Sequence, residues 1–334
     1  MDETTRRVKE MYAAFPYPSP KGGGQNLKEL RNLLTIFAAE NRYVFKGKRV
    51  LDAGTGTGHR LIEAARALPD TEFVAVDISE TPLEIARRSA AKENVRNVEF
   101  RCCNLMDEAA ALGSFDVVLC MGVLHHLSDP ARGLRNLTRN LAADGLLFLY
   151  IYGAHGGRER MRRKRIVSML RGPDTGDFER GIRLVKDLGF GTFDYGWNLN
   201  VDDEASCNSL IVDAYLNVNE KLFDAQTIFE LMRGSGLYGF ATYGLTLAQR
   251  GCLFDARYAP HQRSMIESTA VDKHLKSDES KAAYERLSLA ERYLLIDLLF
   301  EPNGYTLIGM PERGFGHFAA DGRVAANVLR VADL

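Results

Sequence analysis

The sequence predicts an α/β protein on a doubly wound, mostly parallel sheet, and three observations carry that expectation. Short apolar runs alternate with amphipathic helical stretches between residues 46 and 153, the pattern of buried strands joined by covering helices. The first run ends in Val50-Leu-Asp-Ala-Gly-Thr-Gly-Thr-Gly58, where alternating glycines let the chain turn sharply and bring its backbone close to a ligand. The second, Glu72-Phe-Val-Ala-Val-Asp77, sets an acid 21 residues after Gly56, at the end of the strand that a right-handed strand-helix-strand unit lays beside the first.

Residues 3–14 read as a short polar helix, broken by Phe15-Pro-Tyr-Pro-Ser-Pro20, whose prolines enforce an extended path. Aromatic rings on so stiff a segment suit a lid, with Gly22 to Gly24 as its hinge. Leu27, Leu30, Leu33, Leu34, Phe37 and Ala38 repeat at helical spacing, and that helix ends by Asn41. The core follows as strand 49–53, helix 58–68, strand 72–77, helix 80–92, strands 97–101 and 115–120, helix 129–141 and strand 145–152. Ser79 before Thr81-Pro82 marks a helix start, while Pro69-Asp70 and Asp144-Gly145 supply turns.

After residue 152 the alternation stops. A basic helix at 157–171, another at 177–188 and a loop holding the only tryptophan, Trp197, make residues 154–222 a cap. Helix 224–235 feeds a strand at 238–245, and 305–310 is the last strand read. Residues 255–300 between them read as mainly helical, with Leu287, Leu289, Tyr293, Leu294, Ile296, Leu298 and Leu299 clustered. The expected division is a lid and helix at 1–45, the sheet core at 46–153, the cap at 154–222, and the end of the sheet at 223–334 with a helical insertion at 250–303.

The 334 residues suffice for one large or two ordinary domains, and 46% apolar with 26% charged residues is ordinary for a globular chain. A net charge of −1 argues against broad capture of nucleic acid. Five cysteines without regular spacing give no disulfide framework and no metal pair, and His274 and His317 lack visible partners, so no metal site is expected and a cytoplasmic setting fits best. Neither a membrane span nor a signal peptide is read, and the 255–300 segment leaves a homodimer open.

The glycine turn departs from the dinucleotide fingerprint: its third glycine comes two residues after the second, and Asp52 stands two before the first. A carboxylate there repels a pyrophosphate but suits a nucleoside carrying an ammonium and a sulfonium. With Asp77 placed for a ribose, and with the two later motifs Cys102-Cys-Asn-Leu105 and Phe115-Asp-Val-Val-Leu-Cys-Met-Gly-Val-Leu-His-His-Leu127, residues 48–150 resemble the Rossmann-like class I S-adenosylmethionine-dependent methyltransferases. The resemblance implies a seven-stranded sheet closed by an antiparallel hairpin of its last two strands, S-adenosylmethionine as cofactor, and methyl transfer. The Phe-Pro-Tyr-Pro entry and the late Gly309-Met310 are also similar to methyltransferase domains that elsewhere sit beside helical repeats.

On that resemblance the turn residues Asp52, Ala53, Gly54, Thr55, Gly56 and Gly58 face the cofactor, with Asp77 and Ile78 at the ribose. Asn104 and Leu105 fall at the adenine, and Cys120, Met121 and Gly122 at the sulfonium and amino-acid end. His125, preferred on the resemblance, or His126 then faces the acceptor, either being equally able to pack as a structural residue, and Tyr17 joins them as a catalytic candidate. Tyr12, Phe15, Tyr152, His155 and Trp197 are acceptor-lining candidates; so are Asp213, Tyr215 and Asn217, which share a face if their segment is extended. The cluster Arg158, Arg160, Arg162, Arg163, Lys164, Arg165 and Arg171 reads by default as a solvated helix face. The expected function is methyl transfer to an O, N, S or C nucleophile of a small molecule; a protein or RNA acceptor, a non-catalytic cofactor-binding subunit, and transfer of another group such as aminopropyl are the alternatives.

Overall fold

In a computed structural model of the chain, residues 1–19, 27–107, 112–172, 176–190, 203–246, 271, 274–320 and 328–334 are described. Their strands form one sheet: β1 (Arg49–Ala53), β2 (Glu72–Asp77), β3 (Val98–Cys102), β4 (Phe115–Met121), β5 (Leu141–Tyr152), β6 (Gly239–Thr246), β7 (Gly304–Met310) and β8 (Val328–Arg330). The order is β3-β2-β1-β4-β5-β7-β6-β8, with the first five strands parallel and β7 antiparallel to both its neighbours. The order reverses between β1 and β4, so their carboxyl ends open a crevice, the usual ligand position in such sheets.

Seven strands were expected and eight are present among the described residues. The eighth, three residues paired antiparallel with β6, is too short to carry a period in the sequence. The Asp144-Gly145 turn is instead an irregularity inside β5, where the register with β4 jumps from Phe115↔Leu141 to Val117↔Leu146.

The helices are α1 (Glu3–Ala14), α2 (Glu29–Asn41), α3 (His59–Ala67), α4 (Glu80–Lys92), α5 (Pro130–Thr138), α6 (Arg158–Arg171), α7 (Phe178–Asp187), α8 (Glu204–Ile211), α9 (Ala225–Arg233), α10 (Asp278–Glu285), α11 (Leu289–Phe300) and α12 (Glu312–Ala320). Leu33, Leu34 and Phe37 of α2 and Leu61 of α3 pack on one sheet face with Val50, Phe73, Leu119 and Phe148. Leu134 of α5, Phe229 of α9 and Tyr293 of α11 pack on the other with Leu51, Val74, Val118 and Leu149. Covered on both sides, the central strands can be apolar throughout. Leu294 and Leu298 of α11, expected in the cluster, are 37% and 65% exposed, because the helix buries only the face of Tyr293 and Ile296.

A third core belongs to the cap. Val167 of α6, Ile182 and Val185 of α7 and Ile211 of α8 close around Met11 of α1, so the N-terminal helix packs into the cap. Residues 212–216 continue α8 as a wide helical turn. The extended segment expected for Asp213, Tyr215 and Asn217 is therefore replaced by helix, which sends Asp213 and Tyr215 in different directions. No described helix is long and apolar enough to cross a membrane.

Candidate active site

A cavity of about 380 Å³ opens at the crevice between β1 and β4 and runs beneath the N-terminal strap, residues 1–19, and the cap. Its floor is the turn after β1. Gly54 and Gly56 have φ of +83° and +58°, in the left-handed region that favours glycine. A Cβ on Gly56 would stand 2.2 Å from the Tyr17 carbonyl oxygen. The bareness of that residue thus admits the strap, where the sequence suggested a ligand. Thr57 fixes the contact: its N–H donates to the Tyr17 carbonyl at 3.3 Å and its hydroxyl to that of Pro18.

Asp77, at the end of β2, accepts the Gly56 N–H at 3.0 Å on one oxygen and the Ser79 N–H at 2.9 Å on the other. The carboxylate is thereby aimed, and each oxygen keeps a lone pair for a diol. Burial raises its pKa and the two N–H donors oppose the rise. Asp52 lies deeper; burial lifts its carboxyl to about 6, against the opposing pull of Thr55 and Arg60. Asn104, anchored through its Oδ1 to the Met106 N–H at 3.1 Å, and Leu105 border the cavity on the β3 side, Met121 and Gly122 on the β4 side. A Cβ at Gly122 would meet nothing within 4 Å, so the cavity is open there. Two acids, a bare turn and open space beside Gly122 fit the ribose, the ammonium-bearing chain and the sulfonium of S-adenosylmethionine.

Beyond Gly122 the wall changes character. His126 sits in a short 3-10 turn and places Nδ1 3.0 Å from the Asn219 carbonyl. An N–H donated there leaves the lone pair on Nε2. Asn219 returns two bonds, its side-chain amide donating to the carbonyls of His126 and Leu127 at 2.9 Å each. Burial lowers the His126 pKa, with Asp213 and Glu220 pulling the other way, so the ring is held neutral at physiological pH. Tyr12 donates to Asp213 at 2.7 Å and receives the Asn217 side-chain N–H at 3.0 Å. Tyr152 closes the end of the cavity, with the His125 ring stacked 3.8 Å away and the Arg160 guanidinium 4.9 Å from its centroid.

The structure thus brings Asp52, Gly54, Thr55, Gly56, Asp77, Ile78, Asn104, Leu105, Met121, Gly122, Tyr12, Tyr17, His126, Tyr152 and Asp213 to one cavity. It does not bring the rest. His125 is fully buried behind the wall, neither ring nitrogen having a hydrogen-bond partner among the described residues, and burial drives its pKa well down. Ala53 and Cys120 are core strand residues, and a Cβ on Gly58 would stand 2.6 Å from that of Ala86. Phe15 packs on Phe178 at 5.4 Å, and Tyr215 stacks on Phe190 at 6.4 Å. Asn217 reaches the cavity only through Tyr12. His155 leaves the site for Asp297, 3.2 Å away. Trp197 lies outside the described residues.

Sequence reasoning missed Glu29, Arg60, Asn303 and Arg160, all on the cavity wall. Arg160 belonged to the helix read as solvated. Instead its side chain is 9% exposed and ion-pairs with Glu220, which also holds Lys164 at 3.0 Å. Arg60 did carry a signal: a cation in the first turn of α3 opposes the helix dipole.

Residues 45–155 match the family model described as Methyltransferase domain. An uncharacterized protein of Synechococcus sp. is 28% identical over 310 residues, 89% of this chain and 69% of its own. A ubiquinone biosynthesis O-methyltransferase of Neisseria meningitidis serogroup C is 40% identical over 105 residues, 31% of this chain and 43% of that protein. Among solved structures, PKMT2 from Rickettsia typhi aligns with a TM-score of 0.61 at 15% identity, over 88% of this chain and 55% of that one. Its complex with AdoHcy aligns at 0.56 and 17% identity, over 90% and 57%. The chain therefore spans about half of the solved structures and less than half of the Neisseria enzyme it matches. A matched domain that coincides with the sheet core and the glycine turn makes residues 45–155 a class I S-adenosylmethionine-dependent methyltransferase domain, with S-adenosylmethionine as its methyl donor.

Proposed function

We propose that the chain methylates an oxygen, nitrogen, sulfur or carbon nucleophile of a small molecule, held between Tyr12, Tyr152, Asp213 and His126. The observation that carries this reading is the continuity of one roofed cavity from Asp77 at the nucleoside end to His126 and Asp213 at the far end. A roof of strap and cap suits a ligand that is enclosed. The outward arginines of α6 also favour it over a docking surface, since Arg162 and Arg163 are held by Glu159 and Arg158 by Glu301.

When bound, S-adenosylmethionine supplies an electrophilic methyl on a sulfonium. The protein orients the acceptor against that position and excludes water, which contributes on the order of 7–11 kcal/mol. For a hydroxyl or ammonium acceptor, His126 Nε2 takes the proton while Asn219 holds the ring through Nδ1. Incubation with methyl-labelled S-adenosylmethionine and a fractionated cell extract tests the reading. Label and a gain of about 14 mass units should appear in the small-molecule fraction; label confined to protein or RNA, or no transfer despite cofactor binding, would refute it.

A further inference from the structure

Asp213 is a carboxylate of the acceptor end that the described residues leave without a counter-charge. It is 5% exposed, lines the cavity and accepts the Tyr12 hydroxyl on Oδ1; no other described residue donates to it and no described cation contacts it. The cations nearby are engaged elsewhere. Arg160 contacts Glu220 and donates to the Ala214 carbonyl at 3.3 Å, and Lys164 shares Glu220 at 3.0 Å. Arg60 is hydrogen-bonded to the Tyr17 hydroxyl, with Glu29 3.9 Å away. Burial raises the Asp213 pKa, with His126, the Tyr12 bond and Arg160 opposing the rise. A buried carboxylate is costly unless a cation or several donors meet it. Asp213 also stands in the wide helical turn at 212–216, a geometry that is rare and concentrated at functional sites. Tyr12, Tyr17 and Tyr152 line the same cavity, and burial followed by the Asp213 charge raises the pKa of each phenol, so the carboxylate acts on all three. Walled by these rings, its charge is little screened by water.

We propose that the acceptor is a small primary or secondary amine, bound as its ammonium against Asp213 and methylated on that nitrogen. This rests on the small-molecule reading above and names its acceptor class. An ammonium supplies what Asp213 lacks in the protein alone, a cation at contact, and it favours the ionised carboxylate. Once bound, the ammonium lies near the positive sulfonium, which favours the loss of a proton. The nitrogen gives one proton to His126 Nε2, and its freed lone pair forms the bond to the methyl carbon. The carbon–sulfur bond breaks with its electrons kept by sulfur, so the products are a methylated ammonium and a thioether.

The small-molecule fraction of a cell extract, split on a strong cation exchanger at about pH 3, where amines are charged and most carboxylates are not, tests this. The bound and unbound pools, each neutralised, are incubated with the protein and methyl-labelled S-adenosylmethionine. Label should enter the bound pool alone, and tandem mass spectrometry should place the added methyl on nitrogen. Label in the unbound pool, or a methyl on oxygen, sulfur or carbon, overturns the proposal and leaves the small-molecule reading standing. Label in neither pool overturns that reading and the proposal with it. Asp213→Asn keeps an acceptor for the Tyr12 hydroxyl and removes only the charge. It should lower kcat/KM for the labelled acceptor by about 30-fold or more, as expected for a lost buried charge pair, with S-adenosylhomocysteine affinity kept in calorimetry. An unchanged kcat/KM overturns the proposal. If the variant loses the cofactor as well, the position of the methyl in the wild-type product decides.

Discussion

Tyr12 gives its phenolic proton to Asp213 across 2.7 Å, and this bond joins the N-terminal strap to the cap directly over the acceptor end of the cavity. Asn217 completes it by donating to the same phenol. The roof is therefore closed by a polar contact between segments about 200 residues apart (201).

Removing that hydroxyl should open the roof. Tyr12→Phe leaves a buried carboxylate oxygen short of its donor, a loss of about 1–3 kcal/mol. Limited proteolysis within the first 15 residues should become faster, and the acceptor KM should rise by a larger factor than cofactor affinity in calorimetry falls. Unaltered proteolysis would show that the bond does not hold the strap.

His126 and His125 should separate cleanly. With a hydroxyl acceptor, His126→Gln should lower kcat by about 10²–10⁴-fold without weakening the cofactor. Because burial holds the His126 pKa below its ordinary 6.5, the wild-type kcat at saturating cofactor should be flat above that pH and fall on the acid side. The inflection should vanish in His126→Gln. His125→Ala should instead act mainly on stability, since that ring is buried in packing against Tyr152 and His126 and neither of its nitrogens has a hydrogen-bond partner among the described residues.

Cofactor affinity should itself depend on pH through Asp52. Its carboxyl titrates at about 6, raised by burial, and only the ionised form attracts an ammonium. Affinity for S-adenosylhomocysteine should be level above pH 6 and fall below it, by at most about tenfold per pH unit. Asp52→Asn should bind weakly at every pH, with the slope gone.

Asp77→Ala should abolish measurable cofactor binding. The variant loses the acceptor for a ribose and also the two bonds that fix Gly56 and Ser79, each charge-assisted bond being worth about 1.5–3 kcal/mol. Retained affinity by calorimetry would remove the ribose assignment.

The Arg160, Lys164 and Glu220 cluster should govern acid stability. Glu220→Ala strands two buried cations, at a cost of about 3–5 kcal/mol in urea unfolding. Arg160 and Lys164 hold the Glu220 carboxyl down at about 2, below its ordinary 4.5. The folded pKa being the lower one, the stabilisation is whole above pH 4.5 and disappears as pH falls towards 2. The variant's deficit should shrink over that window.

Where two apolar neighbours and a glycine turn decide the structure, the sequence was legible. The strands and helices of the core lie within a few residues of their expected places, because continuous apolar runs and helix-start signals such as Ser79 act locally. The acceptor side was less legible. Tyr215 and Asp213 looked like one face of a strand, and only the packing of α8 into the cap core makes that stretch helical. Nothing local distinguishes Arg160 from Arg162 on the same helix; one is buried because Glu220, 60 positions on, happens to meet it. The choice of His126 over His125 depended likewise on Asn219, a residue of the cap.

Thr57 commits both its amide and its hydroxyl to the strap while its neighbour Gly56 is held by Asp77. Door and floor are accordingly one mechanical unit, and their equilibria are linked. Whatever free energy an ordered strap lends to nucleoside capture, a captured nucleoside must return in full to the ordering of the strap. Occupancy should therefore be readable at the N-terminus, as slower amide exchange along α1.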